Sequence, residues 1–240
     1  MKKLVFLSMM LIAAHNFVNA QTQFNVNAGS GIWIANSNPK SFEGQNICPP
    51  GIAPTLFVGA SASKTFESNL VASIGADFHF LFCNGAYKMF FDNKWDGDKT
   101  TTNYWWDDNE DSYLGDAENA AHYYIIALPI RVGYHLGKFT PNVGFEYGFR
   151  LNDNDAEIKK NTMNVTAGLE YQLSSKFTLT LNYASNLVPD MTHTVRKVKE
   201  TCIDTEDGWE RKLETQAEKK VKWHSQRVEL GVSYRLGKSE

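Results

Sequence analysis

The chain has 240 residues, with 24 Lys and Arg against 27 Asp and Glu and a formal net charge of −3. That balance excludes a strongly basic nucleic-acid binder. Its hydrophobic content of 42% is, as an average, that of a soluble globular domain. Only the N-terminus comes near the roughly 18 apolar residues a spanning helix needs, so a helical membrane protein is excluded too.

Met1-Lys2-Lys3 supplies a positive start, and Leu4 to Ala14 is apolar except for Ser8 and is followed by Val18-Asn19-Ala20. Residues 1–20 therefore read as a cleaved secretory signal peptide, leaving 21–240 as the mature domain. Export permits disulfides. The three cysteines, Cys48, Cys83 and Cys202, allow one intramolecular bridge at most and match no zinc or redox spacing.

Beyond the signal, strict apolar/polar alternation dominates. In the first segment Phe24, Val26, Ala28, Ile32 and Ile34 alternate with Asn25, Asn27, Gly29 and Gly31. The second has Leu56 to Ala62 on its apolar face, the third Leu70 to Phe80 and the fourth Tyr124 to Tyr134. The later half is cleaner still, with Pro141 to Phe149, Met163 to Tyr171, Phe177 to Tyr183 and Val228 to Leu236 on the apolar faces. These are eight amphipathic strands, most close to the roughly 9–11 residues with which a tilted strand crosses a bilayer.

The connections alternate in length. Gaps after the first, third, fifth and seventh strands are about 20, 40, 10 and 35 residues, while Lys64 to Ser68, Gly137-Lys138 and Ser174 to Lys176 are tight. Short turns at one end and long loops at the other, on an even number of strands, predict an all-β fold. It is an eight-stranded antiparallel transmembrane β-barrel with short periplasmic turns and long extracellular loops. Leu136 and Phe139 should pair directly across their turn. Asp207-Gly208 is a hairpin signal; centred there, a regular hairpin makes Leu181 meet Tyr234 and Asn182 meet Ser233. The last two strands would then extend without a break into a protruding arm over about residues 190–222.

The polar face decides which side is outside. It carries Asp77, Glu146, Glu170 and Glu229 with Arg131, Arg150, Arg227 and Arg235. In a soluble barrel these would face solvent around an apolar ligand cavity; in a membrane barrel they fill and neutralise a narrow lumen. Turned to lipid, each midplane Arg would cost about 2–4 kcal/mol. The apolar face is therefore expected against the outer-membrane lipid. Aromatics support this, with Phe24, Tyr134, Phe139, Tyr171, Phe177 and Tyr234 toward the short turns. Phe80, Phe82, Tyr124, Phe149 and Tyr183 lie toward the long loops, as two interfacial girdles. Eight strands leave room only for side chains, so a diffusion pore is not expected.

Ala127-Leu128-Pro129-Ile130-Arg131-Val132-Gly133-Tyr134 and Ala167 to Leu173 with Phe177 to Tyr183 resemble the small outer-membrane barrels of the Bacteroidetes, PorT-like and OmpA/OmpX-like. The closing Gly231-Val232-Ser233-Tyr234-Arg235-Leu236 is similar to the terminal signal read by the barrel-assembly machinery. It ends in Leu236 rather than an aromatic and is followed by Gly237 to Glu240. The resemblance implies a fold, an assembly route and a structural or accessory role, including membership of a secretion or assembly complex. It implies no activity.

Candidate chemistry concentrates in the second long loop, about residues 84–121, where Trp95, Trp105, Trp106, Asp107 and Asp108 stand among further acids. Clustered Trp and Asp suit a protein partner or a surface glycan. Asp92 to Asp98 is similar to the first half of a calcium loop, but Lys94 takes a ligand position and Asn103 replaces the closing Glu. A solvated acidic loop without metal is the expectation, and no cofactor is called for. His122, His193 and His224 form no catalytic motif and no Gly-x-Ser-x-Gly appears, so no enzyme is expected. His79, inward beside Asp77, reads as a lumen hydrogen-bonding residue. Closure of the barrel would make the first and last long loops neighbours, which favours a Cys48–Cys202 bridge, with Cys83 as competitor.

Overall fold

The computed structural model describes residues 22–42, 45–46, 51–83, 101–107, 121–151, 160–205 and 208–237. In chain order the strands are β1 (Thr22–Asn38), β2 (Ser41–Phe42), β3 (Gln45–Asn46), β4 (Gly51–Thr65), β5 (Leu70–Cys83) and β6 (Thr101–Asp107). They continue with β7 (Ala121–Tyr134), β8 (Phe139–Arg150), β9 (Asn161–Gln172), β10 (Phe177–Asn186), β11 (Met191–Thr205) and β12 (Gly208–Leu236). β1, β4, β5, β7, β8, β9, β10 and β12 are consecutive antiparallel staves, and β1 pairs with β12 to close an eight-stranded barrel. Each of the eight alternating segments falls on one stave.

The faces are those of a barrel turned inside out relative to a soluble one. On β8, Val143 and Phe145 are 63% and 61% exposed while Glu146 is 2% exposed. On β12, Leu230 points out and Arg227 and Glu229 are buried within. A strand with a period of two presents one set outward and the other inward. The aromatics sort along the outer face as two clusters. Phe139 packs on Tyr171 at 4.8 Å and Phe177 on Tyr234 at 5.1 Å between ring centroids at the short-turn end. Phe80 lies 5.1 Å from Tyr124 and 4.2 Å from Phe82 at the other.

The three tight turns are built by local chemistry. Asn69 and Gly137 each take a φ of 63°, the left-handed conformation that Asn and Gly tolerate best. Leu136 and Phe139 exchange both backbone hydrogen bonds, at 2.7 and 3.1 Å. The Ser174 hydroxyl accepts from the amides of Lys176 and Phe177.

The structure departs from the sequence reading at the long-loop end. β4 begins at Gly51 and runs through Pro54, which pairs with Ile32. That level lies beyond the β4–β5 ladder, which starts at Thr55↔Leu81. A residue without an N–H is tolerated where only one neighbour is paired.

The last hairpin is also corrected. Leu181 pairs with Leu230 and Asn182 with Glu229, four residues from the expected partners. Its turn lies between Thr205 and Gly208, one position earlier than a hairpin centred on Asp207-Gly208. The two strands do not extend together either: β10 stops at Asn186, and β11 resumes at Met191 opposite Trp223. The cause is local. Asn186 Oδ1 accepts from the Val188 amide, its Nδ2 donates to Asp190 Oδ1, and Pro189 offers no donor. The break and a bulge at Lys197/Val198 absorb the change of register. Parity survives, because the displacement is four residues, an even number that keeps each side chain on its face.

Candidate functional site

Two regions bear on function: the lumen and the sheet above the long-loop rim. At mid-height in the lumen, Arg227 on β12 reaches across to β8. Its Nη2 donates to both carboxylate oxygens of Glu146, at 2.9 and 2.8 Å, and its Nε lies 2.8 Å from Glu229 Oε1. Asn164 Nδ2 donates to Glu146 at 2.8 Å, and His79 Nδ1 lies 3.0 Å from Glu229 Oε1. Five inward positions on four staves thus converge on one guanidinium. All five side chains are buried, which makes their pairing obligatory: a lone ion there costs several kcal/mol.

Below this layer, toward the short turns, lies a cavity of about 60 Å³, room for about four waters. Asp77, Arg131 and Glu170 line it with Asn25, Ser63 and Asn142. Asn142 Nδ2 donates to Glu170 at 3.4 Å, and Asn27 to Ser61 at 3.2 Å. Asp77 Oδ1, Arg131 Nε and Asn142 Oδ1 are buried without a protein partner, so a polar, roomy cavity is where water belongs.

The sequence reading put eight charged residues into one network, and the structure divides them. Arg227, Glu146 and Glu229 form the central layer. Asp77, Arg131 and Glu170 surround the cavity. Arg150 sits 4.6 Å over the Tyr123 ring near the long-loop end. Arg235 lies at the other end, where its amide donates to Lys176.

An apolar layer above the ion pairs was not anticipated. Trp33, Leu81, Tyr123, Val221 and Trp223 are inward and almost completely buried. Phe57, also inward, packs 5.7 Å from the His79 ring. Gly29 and Gly231, paired across β1 and β12, leave space for it: a Cβ on either would come within 2.7 Å of the Phe57 ring. The signal was present in the alternation, since Trp33 and Phe57 occupy polar-face positions between apolar neighbours.

At the base of the arm Asp190 is buried. Its amide donates to the Trp223 carbonyl at 2.8 Å, and Asn186 and Ser225 hydrogen-bond its carboxylate. Burial outweighs these bonds and pushes its pKa up to about 6, while Oδ2 remains unpartnered.

Above the rim, β12 pairs with β11, and β11 pairs in turn with β6. The loop that holds the Trp/Asp cluster therefore supplies the third strand of the arm. Trp105 lies opposite Lys197, Trp106 opposite Arg196 and Asp107 opposite Val195. Trp95, Asp108, the calcium-like segment at Asp92 to Asp98 and Cys48 lie outside the described residues. Cys202 is on β11 opposite Arg211. His122 stacks on Phe80 at 5.5 Å on β7, His193 is on β11 opposite Val221, and His224 is on β12 opposite Asn36.

The family described as "Outer membrane protein beta-barrel domain" matches residues 4–235. Similar solved structures include Neisserial surface protein A, at 11% identity and a TM-score of 0.43 over 89% of this chain and 97% of that one. A major outer membrane protein from Thermus thermophilus is similar at 15% identity and a TM-score of 0.38, over 90% of this chain and all of that one (100%). OprG from Pseudomonas aeruginosa is similar at 9% identity and a TM-score of 0.36, over 91% and 99%. Among curated proteins none matches it in sequence. Matched over nearly its whole length, the chain belongs to the outer membrane protein beta-barrel domain family.

Proposed function

We propose that this protein is a non-conducting outer-membrane barrel with a structural or accessory role, acting as a subunit of a secretion or assembly complex as its PorT-like resemblance implies. It is exported through cleavage of residues 1–20 and inserted by the barrel-assembly machinery. The short turns lie in the periplasm and the arm at the cell surface. The observation that carries this reading is the filled lumen, in which an ion-paired layer and an apolar layer stand in series. Among the described residues such an interior leaves no open path for solutes, which supports the membrane-facing wall and the parts above the rim as the working surfaces. No catalytic role is assigned.

A second reading, a surface-binding module for a protein or glycan, is favoured by one observation: β6 joins the arm as a strand, setting the Trp105–Asp107 segment on an ordered edge. Removal of residues 95–112 separates the two. Retained secretion with lost surface adhesion favours binding; lost secretion with retained adhesion favours the accessory role. A pull-down from outer membranes with the intact chain identifies the partner in either case.

A further inference from the structure

On the lumen side of the wall, Gly168 of β9 lies between Asn142 of β8 and Asn182 of β10 in one paired row. A Cβ on Gly168 would stand 2.8 Å from Asn142 Oδ1 and 2.6 Å from Asn182 Oδ1, so both amide oxygens turn toward the space that glycine leaves. Asn142 Nδ2 donates to Glu170, the next inward residue along β9. That bond fixes the amide, because the reverse orientation would set its oxygen against a carboxylate. Asn142 is only 7% exposed, and its Oδ1 has no hydrogen-bond partner. Two amide oxygens and a carboxylate thus gather on three adjacent staves at the edge of the lumen cavity, which Asn142, Asn182 and Glu170 all line. Acceptors brought together in this way repel one another unless something positive stands between them.

The charge of the cavity calls for a cation in addition to water. Asp77 and Glu170 line it with Arg131, so two carboxylates face one guanidinium. Among the described residues no ion pair joins Arg131 to either of them. The layer above has no positive charge to spare, since Arg227 is shared by Glu146 and Glu229, and His79 is turned to Glu229. One negative charge is left over in an interior where an uncompensated ion is costly. Hard cations take their ligands from carboxylates, amide carbonyls and water, which is the donor set present here. The cavity of about 60 Å³ holds such an ion with part of its hydration shell. Among the described residues no three His, Cys, Asp or Glu side chains gather to hold a metal ion, so the site is not built for a fully chelated transition metal. Half-buried Asn25, Asn27 and Ser61 line the cavity toward the short-turn end. An ion enters and leaves by that end, and the Arg227 layer stops it from going further.

We infer that Glu170, Asn142 and Asn182 bind a partly hydrated monovalent cation inside the lumen, with Asp77 as the second carboxylate that the ion and Arg131 together balance. The ion ties β8, β9 and β10 to one another and neutralises the lower lumen, as the Arg227 cluster neutralises the layer above it. It is a resident of a closed barrel and not a step in conduction.

Sodium is the probe. The full-length barrel, purified in detergent, is unfolded in urea in mixtures of sodium chloride and choline chloride at constant ionic strength, choline being too large for the cavity. The wild type should be stabilised as sodium replaces choline. Above the dissociation constant, each tenfold rise in sodium should shift the folding equilibrium about tenfold toward the folded state. The sodium-23 resonance should broaden in the presence of the folded barrel and sharpen when potassium is added. Glu170→Gln, shown to be folded by its heat-modifiable migration, should lose both the sodium dependence and the broadening, whatever its own stability. Gly168→Ala keeps every charge but fills the space between the two amides, and should lose them too. A Lys138→Ala control at the short-turn end should respond as the wild type does. Equal stability in sodium and choline, or an undiminished sodium response in Glu170→Gln, overturns the site. An undiminished response in folded Gly168→Ala overturns the amide oxygens as ligands. The same stabilisation by micromolar calcium overturns the monovalent ion in favour of a divalent one.

Discussion

Arg227 is the residue on which the interior is organised, since it meets Glu146 through two hydrogen bonds and Glu229 through its Nε. Replacement by Met would leave two buried carboxylates without their cation. Breaking one partner of a buried ionic cluster costs about 3–5 kcal/mol. Arg227→Met should therefore lower the unfolding free energy in detergent by that much, and adding Glu146→Gln should recover part of the loss. Additive losses in the double variant would contradict the pairing. Asp190 makes a prediction of the opposite kind. Burial raises its pKa from the ordinary 3.8 to about 6, so between those values the folded protein keeps a proton that the unfolded chain has released. The associated stability is present at low pH, is lost as pH rises from about 4 to 6, and amounts to about 3 kcal/mol by pH 7. Asp190→Asn should raise the unfolding midpoint at neutral pH and leave it unchanged near pH 4. An effect independent of pH would show that titration is not the cause. Alternation was enough to place Arg227, Glu146 and Asp77 inward. It could not pair them, because which residues meet across a lumen depends on register and side-chain reach; and Asp190, in a break between strands, follows no period at all.

At the scale of elements, the arm and the barrel are separable. β11 pairs with β12 and β6 and with none of the other seven staves, and its lowest pair is Met191↔Trp223. Replacing residues 193–219 by a short turn keeps Asp190, Val221 and Trp223 in place. It should leave the barrel's heat-modifiable migration intact, whereas loss of that shift would make the arm part of the folding unit. The staves themselves are intolerant. Gly59 faces Asp77 across β4 and β5, and a Cβ there would overlap the Asp77 carboxylate. Gly59→Ala should cost about 1–3 kcal/mol, the usual penalty for overpacking, read from the same unfolding measurement. The strands, their faces and their tight turns were legible because each rests on a local rule: period two, a glycine or asparagine with positive φ, a serine cap. The register of the last hairpin was not. Asp207-Gly208 is a true turn signal displaced by one residue, and the Asn186–Asp190 break then moved every pair below it. The third arm strand was hidden because β6 pairs with a strand far away in sequence.

For the molecule as a whole, composition pointed to a soluble domain because it averaged two faces of opposite character. A 42% hydrophobic content is what remains when a lipid-facing set, a polar lumen set and hydrophilic loops are pooled. The filled lumen predicts that the wild-type barrel, in a planar bilayer, shows no stepwise conductance; sustained steps would contradict closure by the ion-paired and apolar layers. The central claim is that the apolar face meets lipid and the charged face the interior, and spin labels along β12 test it most directly. On a cysteine-free background, labels at 228, 230, 232 and 234 should be accessible to oxygen dissolved in the bilayer. Labels at 227, 229 and 233 should be shielded, giving a period of two along the strand. Oxygen accessibility with the opposite phase, or with no period, would contradict it.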